Sequence, residues 1–328
     1  MPKRVLVTGG FGFIGTHVVE RLLAQPTTRV HVVDDLRSSP IEVEAFVATL
    51  PERSRLTWDL CSLEEYHGRS PSGPFDEIYH LAAVVGPVGV LRHGGRIAGM
   101  MVNDTERVVD FATRWGARVV DVSTSEVYGG GRDGYCSEKD LKVIQPKVTI
   151  RLEYAVGKLA AEIALLNTTK VSSLQACVVR PFNVAGPRQS GKGGFVLPRF
   201  IGQALAGSPI TVYGDGTMIR AFTHVVDIVE GLVAVMERGV SGEAYNIGNP
   251  ANKTSIHELA RRVVELTGSR SEIVFVDPKT LFGPLFEEAN DKYPDADKAI
   301  NELGWMPKYA LDRIILDVAD YIGSGVRG

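Results

Sequence analysis

Thr8-Gly9-Gly10-Phe11-Gly12-Phe13-Ile14-Gly15 closes the β-branched run Val5–Thr8. It opens an amphipathic stretch, Ile14–Ala24, in which Ile14, Val18, Val19, Leu22 and Leu23 fall at helical spacing. A strand, a glycine-rich turn and a helix in that order form a phosphate-binding unit. Glycine lets the backbone turn tightly and approach a pyrophosphate, while the helix start offers free N–H groups and a positive dipole end. Spacing such as Gly9, Gly12, Gly15 also occurs in ordinary turns, so the flanking elements carry the weight. Asp34 completes the pattern, an acid at the end of a second strand, Val30–Val33.

A carboxylate at Asp34 can accept hydrogen bonds from both ribose hydroxyls of an adenosine and repels a 2′-phosphate. NAD is therefore read over NADP, with Arg37 near enough to keep NADP open. Further along, Ile78–Ala83, Arg118–Val122 and Leu174–Val179 read as buried strands. Thr105–Trp115 and Tyr154–Leu166 read as helices between them. This alternation predicts an α/β fold, a Rossmann-type doubly wound parallel sheet. After Arg180 the alternation breaks, although helical stretches recur at Phe200–Ala206, Asp227–Glu237 and Ile256–Leu266. The expected division is a cofactor-binding domain over 1–180, with a return segment near 225–250, and a smaller substrate-binding domain over 181–328. Ala244–Ile247 is a candidate strand rejoining the first sheet.

Bulk composition sets the surroundings. The 328 residues carry a net charge of −3, with 44% apolar and 23% charged residues. Such a balance gives no electrostatic grip on nucleic acid or an anionic membrane. No apolar run reaches membrane-spanning length, and no secretory leader is read at the start. Cys61, Cys136 and Cys177 stand singly, which disfavours a disulfide framework and a metal site and fits a reducing cytoplasm.

The chemistry centres on Tyr154-Ala-Val-Gly-Lys158. Four residues apart on a helix, the phenol and the ammonium share a face. A phenol near an ammonium and a positive nicotinamide can be lowered towards working pH as an acid/base. Ser123-Thr124-Ser125-Glu126-Val127-Tyr128-Gly129 follows the strand Arg118–Val122, so its hydroxyls emerge at the carboxyl edge of the sheet, where ligands bind in such folds.

With these segments stand His80-Leu81-Ala82-Ala83, Arg180-Pro181-Phe182-Asn183 with Gly186-Pro187, and Tyr213-Gly214-Asp215-Gly216 leading to Arg220. Pro294-Asp295 and Leu303-Gly304-Trp305 close the set. Over nearly its whole length the chain resembles the extended short-chain dehydrogenase/reductase family, in its nucleotide-sugar epimerase/dehydratase/decarboxylase group. The resemblance implies NAD held by Gly9, Gly12, Phe13, Ile14, Gly15 and Asp34, by Leu81, Ala82 and Ala83, and by Tyr154 and Lys158; Asp59-Leu60, after a later apolar stretch, is a candidate for the adenine, although such a pair has almost no specificity. It implies that Thr124 hydrogen-bonds the sugar 4-hydroxyl and that Tyr154 takes its proton as hydride leaves C4. Lys158 would hold the nicotinamide ribose. Asn183 and Arg220 would bind the diphosphate of a nucleotide sugar, most simply a UDP-sugar. Ser125, Val196, Tyr213 and Lys292 join the expected substrate contacts. Val196, Tyr213 and the neighbouring Phe195 read equally well as core, and Lys292 stands where many relatives carry Arg. A homodimer through Thr105–Trp115 and Tyr154–Leu166 is also implied.

Which reaction follows the 4-keto sugar turns on Glu126. Thr-Ser-Glu resembles UDP-glucuronate decarboxylases and also GDP-mannose 4,6-dehydratases, whereas dTDP-glucose dehydratases typically have Thr-Asp-Glu. The long segment from Gly129 to Tyr154, including Leu141–Pro146 and Arg151, resembles lipid A-modifying UDP-glucuronate decarboxylases. Arg151 is read either as a cation near a uronate carboxylate or as an exposed helix-start residue. The apolar loop Val84-Val85-Gly86-Pro87-Val88-Gly89 departs from the Ser-Pro-rich form of the xylose-forming enzymes. Decarboxylation is the expectation, 4-epimerisation or 4,6-dehydration the alternative. A non-catalytic NAD-binding protein is the remote one, disfavoured by the intact Thr124, Tyr154 and Lys158.

Overall fold

The computed structural model describes residues 2–69, 71, 73–129, 135–144, 146–191, 194–283 and 291–325, without the side chains of Pro87 and Phe282. Gln145, within the 141–146 stretch, lies outside the described residues. Seven parallel strands form the central sheet: β1 (Lys3–Thr8), β2 (Thr28–Asp34), β3 (Leu56–Leu60), β4 (Glu77–His80), β5 (Arg118–Val122), β6 (Gln175–Pro181) and β7 (Ala244–Ile247). Their order is β7-β6-β5-β4-β1-β2-β3. The chain leaves β1 in one direction and returns on its other side at β4, so the crevice beyond the carboxyl ends of β1 and β4 is the switch point where such sheets bind ligands.

Alternation along each strand explains the layering. Val5 and Val7 enter one core with Val30, Val32, Val120 and Val179, beneath the helices α1 (Phe13–Leu23) and Val225–Arg238. Leu6, Val119 and Val178 enter the opposite core, under the helices α2 (Ile97–Trp115) and α3 (Ile150–Val171), with Phe111 and Leu165. A sheet buried on both faces needs apolar residues at successive strand positions, as in Val5–Val7 of β1, Val119–Val120 of β5 and Ala176–Val179 of β6. A separate core gathers Phe200, Ile201, Leu259, Val263, Ile314 and Ile315 from the C-terminal half.

Several boundaries differ from the sequence expectation. β4 ends at His80 rather than Ala83, because Leu81–Ala83 leaves the sheet to pass the first glycine turn, with the Leu81 N–H donating to the Thr8 carbonyl at 3.0 Å. α2 begins at Ile97 and α3 at Ile150, each earlier than read. The Thr149 side chain starts α3 by accepting the Leu152 N–H at 3.1 Å, a local N-cap. β3 had no clear signal of its own, since its pattern of exposure is that of an edge strand. Ala244–Ile247 pairs with β6 in parallel, Ala244 beside Val178. Among the described residues no helix is long and apolar enough to cross a membrane, and no group of three or more His, Cys, Asp or Glu could hold a metal.

Candidate functional site

A cleft of about 860 Å³ opens along the carboxyl edge of the sheet. At its cofactor-side end lie Gly9, Gly12, Phe13, Ile14 and Gly15 from the first turn, facing Leu81, Ala82 and Ala83 after β4. A Cβ on Gly15 would lie 2.1 Å from the Gly9 carbonyl oxygen, so this turn closes only around glycine. Asp34 also lines the cleft; its carboxylate accepts the Phe11 and Leu36 N–H groups at 2.9 and 2.8 Å, and burial pushes its pKa up. Asp59 and Leu60 are not among the lining residues, which here are the adjoining Cys61, Ser62 and Leu63.

Thr124, Ser125, Glu126, Tyr154, Lys158 and Asn183 line the opposite part. Thr124 caps the short 3-10 turn Ser125–Tyr128, accepting the Glu126 N–H at 3.2 Å, and its hydroxyl bonds to the phenol of Tyr154. Tyr154 and Lys158 come from the first turns of α3. Gly157 between them lets α3 press against α2, since a Cβ there would lie 2.6 Å from the Ala98 Cα. Lys158 is 4% exposed and its Nζ donates to the Val122 carbonyl at 2.7 Å.

Burial pushes the Tyr154 phenol up to about 12; the Thr124 hydrogen bond and Arg151 pull down, and Glu126 pushes up. This differs from the lowering expected of a Tyr-Lys pair. The reason is that the protein alone surrounds the ring with low-dielectric packing and a nearby carboxylate, while the Lys158 ammonium is directed at the Val122 carbonyl.

Glu126 is clamped from two sides. Arg151 donates to both its oxygens, and the Nζ of Lys292 bonds Oε1 from behind. Burial raises the Glu126 pKa, but Lys292 and Arg151 override it and hold the carboxyl well below the usual range. Lys292, 2% exposed, is itself lowered to about 8: burial and the cations Arg151 and Arg220 outweigh the pull of Glu126. Lys292 and Arg220 meet at a bridge between their backbones. Neither lines the cleft, nor do Val196 and Tyr213, whereas Phe195 does. The Tyr213 ring stacks under the guanidinium of Arg199, 3.6 Å from its centroid.

Below this layer Arg180 pairs with Glu162 at 2.6 Å and donates to the Tyr128 hydroxyl at 3.0 Å, which in turn donates to Asn246 at 2.6 Å. Sequence reasoning missed Asn103 and Arg107, which reach the cleft from α2, and Gln189 and Ser190 beyond Gly186-Pro187. Asn103 and Arg107 stand four apart on one helix face, a signal that was present but nonspecific.

A parallel sheet of this order, a glycine turn closing against the loop after β4, and Thr124, Tyr154 and Lys158 gathered at one edge define a short-chain dehydrogenase/reductase of the extended type. More narrowly, the chain belongs to the NAD dependent epimerase/dehydratase family, whose profile matches residues 5–248. A UDP-N-acetyl-alpha-D-glucosaminuronate decarboxylase from Bacillus cytotoxicus is 35% identical over 302 residues, 91% of this chain and 91% of that protein. UDP-glucuronic acid decarboxylase 2 of Arabidopsis thaliana is 35% identical over 311 residues; they span 94% of this chain but 65% of the longer plant protein. Among solved structures, UDP-glucuronic acid 4-epimerase from Bacillus cereus in complex with NAD matches with a TM-score of 0.82 at 26% identity, covering 98% of this chain and 99% of that one. UDP-glucose 4-epimerase from Thermotoga maritima matches with a TM-score of 0.85 at 26% identity, again over 98% and 99%.

Proposed function

We propose that this chain is an NAD-dependent decarboxylase of a UDP-linked uronate sugar, working through transient oxidation at C4. The observation that carries this reading is the clamp on Glu126. A carboxylate held by Arg151 and Lys292 well below its usual pKa is a poor base. A 4,6-dehydratase needs a base to remove the C5 proton; a uronate decarboxylase does not, because a 4-ketone β to the carboxylate is enough to release carbon dioxide. The curated relatives at 35% identity bear decarboxylase names, which supports the same reading.

The residues fit NAD. The glycine turn closes over the start of α1 because Gly15 carries no Cβ to strike Gly9, and Asp34 stands at the end of β2 for the adenosine ribose. When bound, NAD accepts hydride from the sugar C4 and can return it. Thr124 would bind the 4-hydroxyl, Tyr154 would take its proton, and Lys158 would hold the nicotinamide ribose with its ammonium close to the reacting phenol. Ser125 and Asn183 would contact the substrate. Val196, Tyr213, Arg220 and Lys292 keep their assigned substrate roles only if the nucleotide half extends past the cleft as now shaped. Asp59 and Leu60 would meet the adenine from the rim. Arg151, which lines the cleft, would offer its cation to the uronate carboxylate.

A 4-epimerase remains the second reading, favoured by the two epimerase structures that share the fold. The name of the Bacillus relative and the apolar Val84, Val85 and Val88 at the cleft favour a 2-acetamido sugar as one candidate substrate. The remaining expectations belong to the same proposal: division near residue 180 into cofactor and substrate domains, a cytoplasmic site fitting three buried free thiols, and a homodimer through α2 and α3. Neither nucleic acid nor a membrane is expected as partner. The deciding experiment incubates the protein and NAD with UDP-glucuronate or its 2-acetamido analogue. Carbon dioxide and a pentose product support the proposal; conversion of UDP-glucuronate to UDP-galacturonate without carbon dioxide reassigns the chain as an epimerase.

A further inference from the structure

We infer that Arg92 is a specificity-determining residue, its guanidinium receiving the C6 carboxylate of the uronate sugar alongside Arg151. The inference deepens the uronate reading above and rests on it.

Among the described residues four arginines line the cleft, and three of them already hold a carboxylate of the protein. Arg37 pairs with Asp35 at 3.0 Å, and Arg107 with Asp104 at 3.0 Å and Glu64 at 3.2 Å. Arg151 pairs with Glu126 at 2.7 Å. The other basic groups on the wall also have acceptors: Lys158 donates to the Val122 carbonyl, and His93 Nδ1 to the Gly89 carbonyl at 3.0 Å. Arg92 makes no hydrogen bond, ion pair or ring contact among the described residues. A guanidinium in that state presents a planar fork of donors to an incoming anion. Exposed arginines ordinarily serve only solvent. The anchoring of this one is what gives it a ligand.

Arg92 ends the short helix Pro87–Arg92, in the apolar loop after Ala83. Two residues before it, buried Val90 joins Ile97 and Met101 in a cluster on which Ile150 and Tyr154 pack. Two residues after it, Gly94 backs onto Ile150 so closely that a Cβ there would lie 2.9 Å from the Ile150 Cδ1. The next N–H, that of Gly95, donates to the Glu153 carboxylate at 2.6 Å. The chain on both sides of Arg92 is thus tied to the first turn of α3, which carries Arg151 and Tyr154. The far end of the cleft, at Asp34 and Cys61, is built from other elements.

The chemistry of the sugar selects which anion meets this corner. C6 is carried on C5, the neighbour of the C4 at which Tyr154 works, whereas the diphosphate leaves from C1 across the ring. The NAD pyrophosphate belongs to the glycine turn. The uronate carboxylate is therefore the anion that comes nearest to the first turn of α3. Arg151 takes it only in competition with Glu126, while Arg92 has no protein carboxylate to give up. A neutral hydroxymethyl group at C6 would leave Arg92 in water and gain nothing from it, so this contact separates uronates from neutral hexoses.

The test compares UDP-glucuronate with UDP-glucose, which differ only at C6. Affinities are measured by calorimetry on the NAD-loaded full chain carrying Tyr154→Phe, so that turnover does not intrude. Adding Arg92→Met, which keeps the stem and removes the charge, should weaken UDP-glucuronate about tenfold, the scale of a lost charge-assisted hydrogen bond. UDP-glucose and NAD should stay within about twofold, since neither meets the guanidinium. Arg92→Lys, which keeps the charge and loses the fork, should fall between. Unchanged UDP-glucuronate affinity in Arg92→Met, or equal weakening of both nucleotide sugars, would overturn the inference while leaving the uronate reading in place. If the parent protein itself binds UDP-glucuronate no tighter than UDP-glucose, the uronate reading fails and this inference with it.

Discussion

Arg151 grips Glu126 with two guanidinium nitrogens, Nε to Oε2 at 2.9 Å and Nη2 to Oε1 at 2.7 Å, while Lys292 closes the other side of the same carboxylate. Two elements far apart in sequence, the start of α3 and the segment after residue 290, are thereby tied to the turn that carries Thr124. Glu126→Gln would leave a buried ammonium without its counter-ion. The expected outcome is a loss of about 3 kcal/mol in urea unfolding and a sharp fall in decarboxylation. A variant as stable and as active as wild type would show that the clamp has neither role.

The same carboxylate gives a pH dependence of stability. Its folded pKa lies below the unfolded value, so its contribution is present above the unfolded pKa and fades as pH falls through the folded one. Wild type should therefore lose stability on acidification below the ordinary Glu pKa more steeply than Glu126→Gln. Parallel thermal-melt profiles for the two proteins across the acidic range would contradict this.

Tyr154→Phe removes only the phenol oxygen that bonds to Thr124. Turnover should fall by about a thousandfold, the range of a lost general acid/base, while calorimetric NAD affinity stays within a few-fold of wild type. Because burial pushes the phenol up to about 12, wild-type activity should keep rising with pH into the alkaline range. Comparable loss of NAD affinity and turnover would mean the ring is structural.

Gly15→Ala places a Cβ 2.1 Å from a backbone oxygen that has no flexible end to move. The glycine turn must shift, and NAD affinity should drop at least tenfold, or about 1.4 kcal/mol. Undiminished NAD binding by this variant would mean that the cofactor does not lie on this turn.

Glu162→Ala breaks the buried pair with Arg180, whose partners are 1% and 6% exposed. Removing one member of such a pair costs about 3–5 kcal/mol, because the other charge stays buried. A chemical-denaturation midpoint close to that of wild type would refute this. The same loss should loosen Tyr128 and Asn246, which hang from Arg180, so proteolysis near β7 should speed up.

Much of the fold was legible along the chain. The strands of the central sheet have local periods and the glycine turn has local spacing, so β1, α1, β2 and the Tyr154–Lys158 helix could be placed from neighbours in sequence. The edge strand β3 and the early starts of α2 and α3 were not legible, because their boundaries depend on what covers them and on a cap at Thr149. Of the site, Thr124, Tyr154, Lys158 and the glycines converge on the cleft, whereas Arg220, Tyr213, Val196 and Lys292 do not line it. Their spacing in sequence says nothing about which way a loop turns.

The sequence by itself determined a parallel α/β sheet, a nucleotide turn and a helix presenting a phenol and an ammonium on one face, since each follows from periodicity within a few residues. The tertiary structure alone decided that Glu126 is spent on Arg151 and Lys292, and that Asp121 is buried beside His80 with no hydrogen-bond partner among the described residues. Charges brought together across 25 and 166 residues of chain interact through space, and their energy depends on burial, which no local pattern encodes.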